Sequence, residues 1–281
     1  MIRTTFTAAI CVSLLSIASF ADHCPLGGCT GDLNGDRAVD LADLSDLLEN
    51  FGCCVGDGCY DANADLDASG CVDLPDLSAL LSNFGGGCPL FEYPPPATND
   101  EAEQIALEML GPGGGLFADA AVIARVAQDL DAIRAFEASL ANQFHSPEWA
   151  AEDLLVAVDP GLPHDDFLCL NEYYQAVITG EIPSLHLYVL QFPRALNPEA
   201  MALIYAAAPE VEYAEPNGFI GGENYWRPTV RAGGVWEWSI DDGFMDCFDG
   251  CDCHRAWVFQ TTAAGEVTLI SFDYYGQPWC P

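Results

Sequence analysis

Asp32-Leu33-Asn34-Gly35-Asp36-Arg37-Ala38-Val39-Asp40-Leu41-Ala42-Asp43 is followed by Leu44, Leu47, Leu48, Phe51 and Gly52. The same text returns as Asp65-Leu66-Asp67-Ala68-Ser69-Gly70-Cys71-Val72-Asp73-Leu74-Pro75-Asp76, followed by Leu77, Leu80, Leu81, Phe84 and Gly85. Oxygen-bearing side chains fall at positions 1, 3, 5, 9 and 12 of both copies. Calcium takes about six to eight oxygen ligands, and a twelve-residue loop supplies them from positions 1, 3, 5 and 12, from the carbonyl at 7, and through water at 9. The first loop thus offers Asp32, Asn34, Asp36, the Ala38 carbonyl, Asp40 and Asp43; the second offers Asp65, Asp67, Ser69, the Cys71 carbonyl, Asp73 and Asp76. Without a cation, the carboxylates crowded into each loop repel one another. The alternative is a pair of solvated acidic turns, against which the in-register duplication weighs. Two calcium ions are the cofactor this spacing implies.

Each loop departs from the usual helix-loop-helix design. Position 12 is Asp rather than Glu, and no helix-forming stretch precedes position 1. Arg37 occupies position 6, where glycine makes the sharp turn. A left-handed arginine costs about 1 kcal/mol, so the first site is expected to be the weaker. The leucines after each loop are spaced to bury one helical face: Leu44, Leu47, Leu48 and Phe51, then Leu77, Leu80, Leu81 and Phe84. Pro75 suits the start of the second helix, where no donor is lost.

Over about residues 30–86 the pattern GDLNGD, VD, DL, LL and FG resembles the type I dockerin, two calcium loops each with only its exiting helix. The resemblance implies a small all-α module of residues 22–90 and a protein partner of cohesin type. Leu41-Ala42 and Leu74-Pro75 stand at loop positions 10 and 11, where cellulosomal dockerins carry Ser/Thr recognition residues.

Residues 1–21 carry one arginine near the start and then an apolar run ending Ser19-Phe20-Ala21, which reads as a secretory signal peptide cleaved near Ala21. The expected location is therefore outside the cytoplasm. All thirteen cysteines except Cys11 follow that segment, and cysteines in an exported chain read as disulfides. Their pairing cannot be deduced from sequence. The formal charge is −35, with no lysine and eight arginines. Such a surface repels nucleic-acid phosphates and anionic lipid, excluding both as partners. After the first residues no apolar run is long enough to span a membrane.

Gly85-Gly86-Gly87 and Tyr93-Pro94-Pro95-Pro96 mark a linker, placed at 91–98. A helical segment is expected over 99–150, its longest helix carrying Val122, Val126, Leu130, Ile133, Phe136 and Leu140 on one stripe. From 151 to 220 the order is β-α-β-α-β. Its strands lie at Leu154–Val158, Leu185–Phe192 and Val211–Ala214, its helices at Phe167–Ile178 and from Pro198 to Ala208, with a weak strand candidate at Ile182. That order fits an α+β sandwich of ferredoxin-like type. Residues 221–281 read as a disulfide-tied antiparallel β segment rich in tryptophan, with strands at Val235–Trp238, Arg255–Phe259 and Glu266–Ile270. Cys247, Cys251, Cys253 and His254 form either a stapled loop or, less favoured in an exported chain, a zinc site.

The run Leu187-Tyr188-Val189-Leu190-Gln191-Phe192, then Leu196-Asn197-Pro198-Glu199-Ala200, then Val211-Glu212-Tyr213-Ala214-Glu215-Pro216-Asn217 resembles the last half of a subtilisin-type propeptide, over about residues 153–217. That family folds as ferredoxin-like domains and inhibits by laying its C-terminal tail along the protease cleft. Here Gly218-Phe219-Ile220-Gly221-Gly222 runs on into another segment, and no Asp, His and Ser protease motifs follow. No catalytic motif is found, and His145, His164, His186 and His254 lack a nucleophile context. The leading expectation is a secreted non-enzymatic modular protein that binds two calcium ions for folding and docking. The alternatives are a propeptide-like protease inhibitor or relic, and a dockerin-borne polysaccharide hydrolase that would stack sugars on Tyr225, Trp226, Trp236 and Trp238.

Overall fold

The computed structural model describes residues 30–219, 224–245 and 251–280, in two compact units that part between Pro89 and Leu90. The expected signal peptide and Cys247 lie outside the described residues. Among the described residues no helix is long and apolar enough to cross a membrane.

The first unit is built on α1 (Leu41–Asn50) and α2 (Leu74–Asn83). Leu47 and Leu80 are fully buried and share a core with Leu33, Val39, Ala64 and Val72. The apolar stripe does not bury as a whole: Leu48, Phe51, Leu81 and Phe84 are exposed, because two ten-residue helices offer each other one row only. The two halves interlock by backbone. Val39 donates to Gly86 and accepts from Gly85, beyond α2, while Val72 donates to Cys53 and accepts from Gly52, beyond α1. Disulfides Cys53–Cys59 and Cys54–Cys71 tie the connection between the repeats.

The second unit contains α3 (Asp100–Glu108), α4 (Ala120–Phe136), β1 (Trp149–Val158), α5 (Asp165–Tyr173), β2 (Val177–Ile182), β3 (Leu187–Gln191), α6 (Pro198–Tyr205) and β4 (Val211–Gly218). Strands β5 (Asn224–Val230), β6 (Trp236–Phe244), β7 (Cys253–Thr261) and β8 (Val267–Gly276) follow. Two four-stranded antiparallel sheets result, ordered β2-β3-β1-β4 and β5-β6-β7-β8. The first, with α5 and α6, has the connectivity β-α-β-β-α-β, the split arrangement expected from the sequence. Leu154, Val156 and Val158 meet Phe167, Leu170, Met201 and Tyr205 in its core. The reading of a helix through Ile178 was too long: α5 stops at Tyr173, Gln175 turns with φ +54°, and Ile178 belongs to β2. Phe91 and Tyr93, placed in a linker by the sequence, pack against this core, and the Phe91 N–H donates to Tyr173.

The second sheet is covered by helices that precede the first in sequence. Ile105 of α3 and Val126, Leu130 and Ile133 of α4 pack on Trp226, Trp236, Trp238, Trp257 and Phe259. Helices α3 and α4 and strands β5–β8 therefore share one core, and the segment that forms the β1–β4 sheet is inserted between them in sequence. The insertion enters and leaves side by side, since Trp149 is paired with Gly218. Asp129 fastens the layers. Its fully buried carboxylate accepts from Trp238 Nε1 at 3.0 Å and Thr261 Oγ1 at 2.6 Å, and pairs with Arg125 at 2.9 Å. Four strands form where three were expected. β5 was hidden by Pro228, which an edge strand tolerates and an alternating pattern does not advertise.

A second buried network closes the doorway of the insertion. His145 Nδ1 accepts from the Trp226 N–H at 3.1 Å, so Nε2 carries the proton and donates to Glu108 at 2.8 Å. Glu108 also accepts from Gln104 and from the Glu148 N–H. Burial alone would raise the Glu108 carboxyl, but these donors outweigh it and hold it below its ordinary range. A carboxyl depressed in the folded state stabilises at pH values above the unfolded value of 4.5, and that contribution fades as pH falls through the folded value. Glu108→Gln is expected to lose about 2 kcal/mol near neutral pH. The loss should shrink progressively below pH 4.5, followed by denaturant unfolding with tryptophan fluorescence. An equal loss at both ends of the pH range would refute this account.

Candidate functional site

The two acidic loops bring their carboxylates together. Ligand atoms of Asp32, Asp36 and Asp43 lie within 4.8 Å of one another, as do those of Asp65, Asp67 and Asp76. Positions 1 and 12 are buried in both loops, whereas Asp36 and Asp67 are exposed. Backbone amides hold the position 1 carboxylates in place. Asp32 accepts from Gly35 and Arg37, and Asp65 accepts from Ser69, Gly70 and the Tyr60 hydroxyl.

Position 12 performs a second task that spacing alone did not reveal. Asp43 Oδ2 accepts from the Asp40 N–H and Oδ1 from Leu33 and Asn34, so one side chain caps α1 and fixes the start of its loop. Asp76 does the same for α2, accepting from Asp73 and Asp67. A capping box favours a carboxylate three residues into the helix, and here the short Asp reaches both ends of the turn. Position 9 is turned to the helices as well: Asp40 and Asp73 are the N-caps. Asn34 accepts from the Asp36 N–H, and Ser69 donates its hydroxyl to the Cys71 carbonyl. The loops thus bring together positions 1, 5 and 12 in the first and 1, 3 and 12 in the second. Ala38 and Cys71, expected to contribute carbonyls, are each in an isolated β-bridge, to Gly87 and Cys54.

Backbone strain is shared between the loops. Arg37 has φ +71° as anticipated, but Ala68 at position 4 of the second loop has φ +55°. Both loops need left-handed backbone at positions 4 and 6, and each spends its one glycine on a different position, Gly35 or Gly70. The charge crowding is visible in the acids themselves. Burial pushes Asp32 up, helped by Asp43 and Asp36 and opposed by the Arg37 and Gly35 amides. Burial and the charges of Asp76, Asp67 and Asp65 push Asp73 up.

The zinc alternative at 247–254 is corrected by the structure. Cys253 is bonded to Cys280, Cys251 is likewise in a disulfide, and His254 is occupied by Asp241 and the Cys251 carbonyl. Two of the three thiols are therefore oxidised and cannot ligate. Trp226, Trp236 and Trp238 are buried in the core and offer no sugar platform.

In the β1–β4 sheet, α5 and α6 cover one face. Leu155 and Val189, paired across β1 and β3, alternate to the other. This is the segment that similarity singles out. Residues 170–217 match the family model of the fervidolysin N-terminal prodomain, from the end of α5 through β4. This stretch is thus similar to a prodomain, and no catalytic family model matches. No curated protein matches the chain. No solved structure does either.

Proposed function

We propose that residues 149–218 form a prodomain-type module that binds and inhibits a protease of the subtilisin class, presented by a chain that is not itself an enzyme. The observation that carries this reading is the coincidence of the prodomain match with β2, β3, α6 and β4, three of the four strands and the second helix of a complete split β-α-β sheet. The module differs from a free prodomain at its end. The Phe219 N–H donates to Glu148, and the chain resumes as β5. Recognition would therefore rely on the sheet rather than on a loose tail. The full chain, added to a subtilisin-class protease, is expected to slow peptide hydrolysis reversibly at micromolar concentration. Absence of both inhibition and binding at about 100 µM, a contact worth under about 6 kcal/mol, would end the proposal.

A second reading concerns the first unit. The two converging carboxylate sets support a calcium-folded, dockerin-like module holding one ion per loop. Leu41 and Leu74, 73% and 69% exposed at equivalent positions, support a role for the α1 and α2 surface in docking a protein, with a cohesin-type receptor as the family analogue. The disulfides support an oxidising location outside the cytoplasm. Calcium titration by calorimetry should show two sites, and no binding heat at millimolar calcium would remove this reading.

A further inference from the structure

Strand β8 is unlike the other three sheet edges. Among the described residues it ends its sheet, with β7 on one side and no strand on the other. Edges are normally blunted by charge, proline or shortness. β4 carries Pro216 and two glutamates, Glu212 and Glu215, and β5 carries Pro228 beside Arg227. β2 has only six residues and a register shift at Gly180. β8 runs for ten residues with no proline and a single charge, Asp273; its one irregularity is a bulge at Ile270.

The covering helix layer also reaches only its first residue, Val267. Trp257 and Phe259 of β7 are buried, but their partners Phe272 and Leu269 remain 45% and 39% exposed. Tyr274 continues that face, Phe136 at the end of α4 is exposed beside Phe259, and Trp279 beyond the strand is 64% exposed. Both the open edge and the uncovered apolar face lie on the same strand.

We propose that β8 pairs antiparallel with β8 of a second copy across a twofold axis, joining two four-stranded sheets into one of eight. An open edge selects an extended backbone, and an antiparallel strand meeting its own copy is self-complementary, as a twofold interface requires. The area suffices. Five side chains, Leu269, Phe272, Tyr274, Phe136 and Trp279, about half exposed, leave roughly 500 Å² per copy, so a symmetric pair buries about 1,000 Å², the lower bound of a stable interface. The net charge of −35 opposes association, so the dimer must strengthen as salt screens it.

Sedimentation of the full chain at about 10 µM should show monomer in about 0.02 M salt and dimer in about 0.5 M. Phe272→Lys and Leu269→Lys should each weaken the dimer at least tenfold while near-ultraviolet circular dichroism stays unchanged. Should those variants fail to fold, amide exchange of wild-type residues 267–276 decides the matter, with protection that rises with protein concentration. A monomer at every salt concentration overturns the proposal. So does a dimer indifferent to both substitutions, or protection of β8 that does not depend on concentration.

Discussion

Chelation of divalent cations is expected to unfold residues 30–88 while leaving the second unit intact. Among the described residues the first unit gathers six buried apolar residues in its core, and so small a core leaves little surplus over chain entropy. Against it stand two sets of carboxylates, the ligand atoms of each lying within 4.8 Å of one another. A site held at a thousandfold its dissociation constant adds about 4 kcal/mol, and two such sites decide whether the module folds. The disulfides Cys53–Cys59 and Cys54–Cys71 limit how far the chain opens. Far-ultraviolet circular dichroism with calcium and then with chelator would show the loss of α1 and α2. Asp36→Asn isolates the metal from the fold, because Asp36 is exposed and its backbone contacts are local. That variant should bind calcium at the first loop at least tenfold more weakly yet match the parent in chelator. A melting temperature unmoved by calcium or chelator would refute the account.

The second large effect is expected at Asp129. Asp129→Ala removes the acceptor for Trp238 Nε1 and Thr261 Oγ1 and leaves Arg125 without its partner at 2.9 Å. Breaking a buried pair by deleting one member costs about 3–5 kcal/mol, because the remaining polar groups stay desolvated. Asp129→Asn keeps the shape and one acceptor oxygen and should cost less. The loss belongs to the sandwich of α3, α4 and β5–β8, so urea unfolding read by tryptophan fluorescence is the suitable measurement. A change in stability under 1 kcal/mol for Asp129→Ala would show that the layers are held by apolar packing alone.

What was legible in the sequence was whatever repeats at short range. The twofold copy of ligand-bearing positions located both acidic loops and the starts of α1 and α2, and alternation located β1, β3 and β4. The dual duty of Asp43 and Asp76 was partly hidden, since an Asp three residues past an N-cap is also a capping signal that the metal spacing overshadowed. Gly180 and Pro228 interrupted the alternation of β2 and β5, so one was read weakly and the other missed. The burial of Leu48 and Phe51 was overestimated because periodicity marks an apolar stripe without saying how much of it a partner covers. Nothing local announces that α3 and α4 cover strands more than eighty residues away. Asp129 carries no local sign of its buried partners Trp238 and Thr261 for the same reason.

The pairing of Trp149 with Gly218 has a further consequence. Partners opposite one another across an antiparallel pair stand only about 5 Å apart, so the covalent chain enters and leaves the stretch between them within one hinge-width. A pull, a cut or a bound partner on β2 or β3 reaches the rest of the unit through that neck and through Asn197, which donates to the Gly111 and Gly115 carbonyls between α3 and α4. In mechanical terms the prodomain-like sheet is hinged to the frame at one edge and latched to it at Asn197.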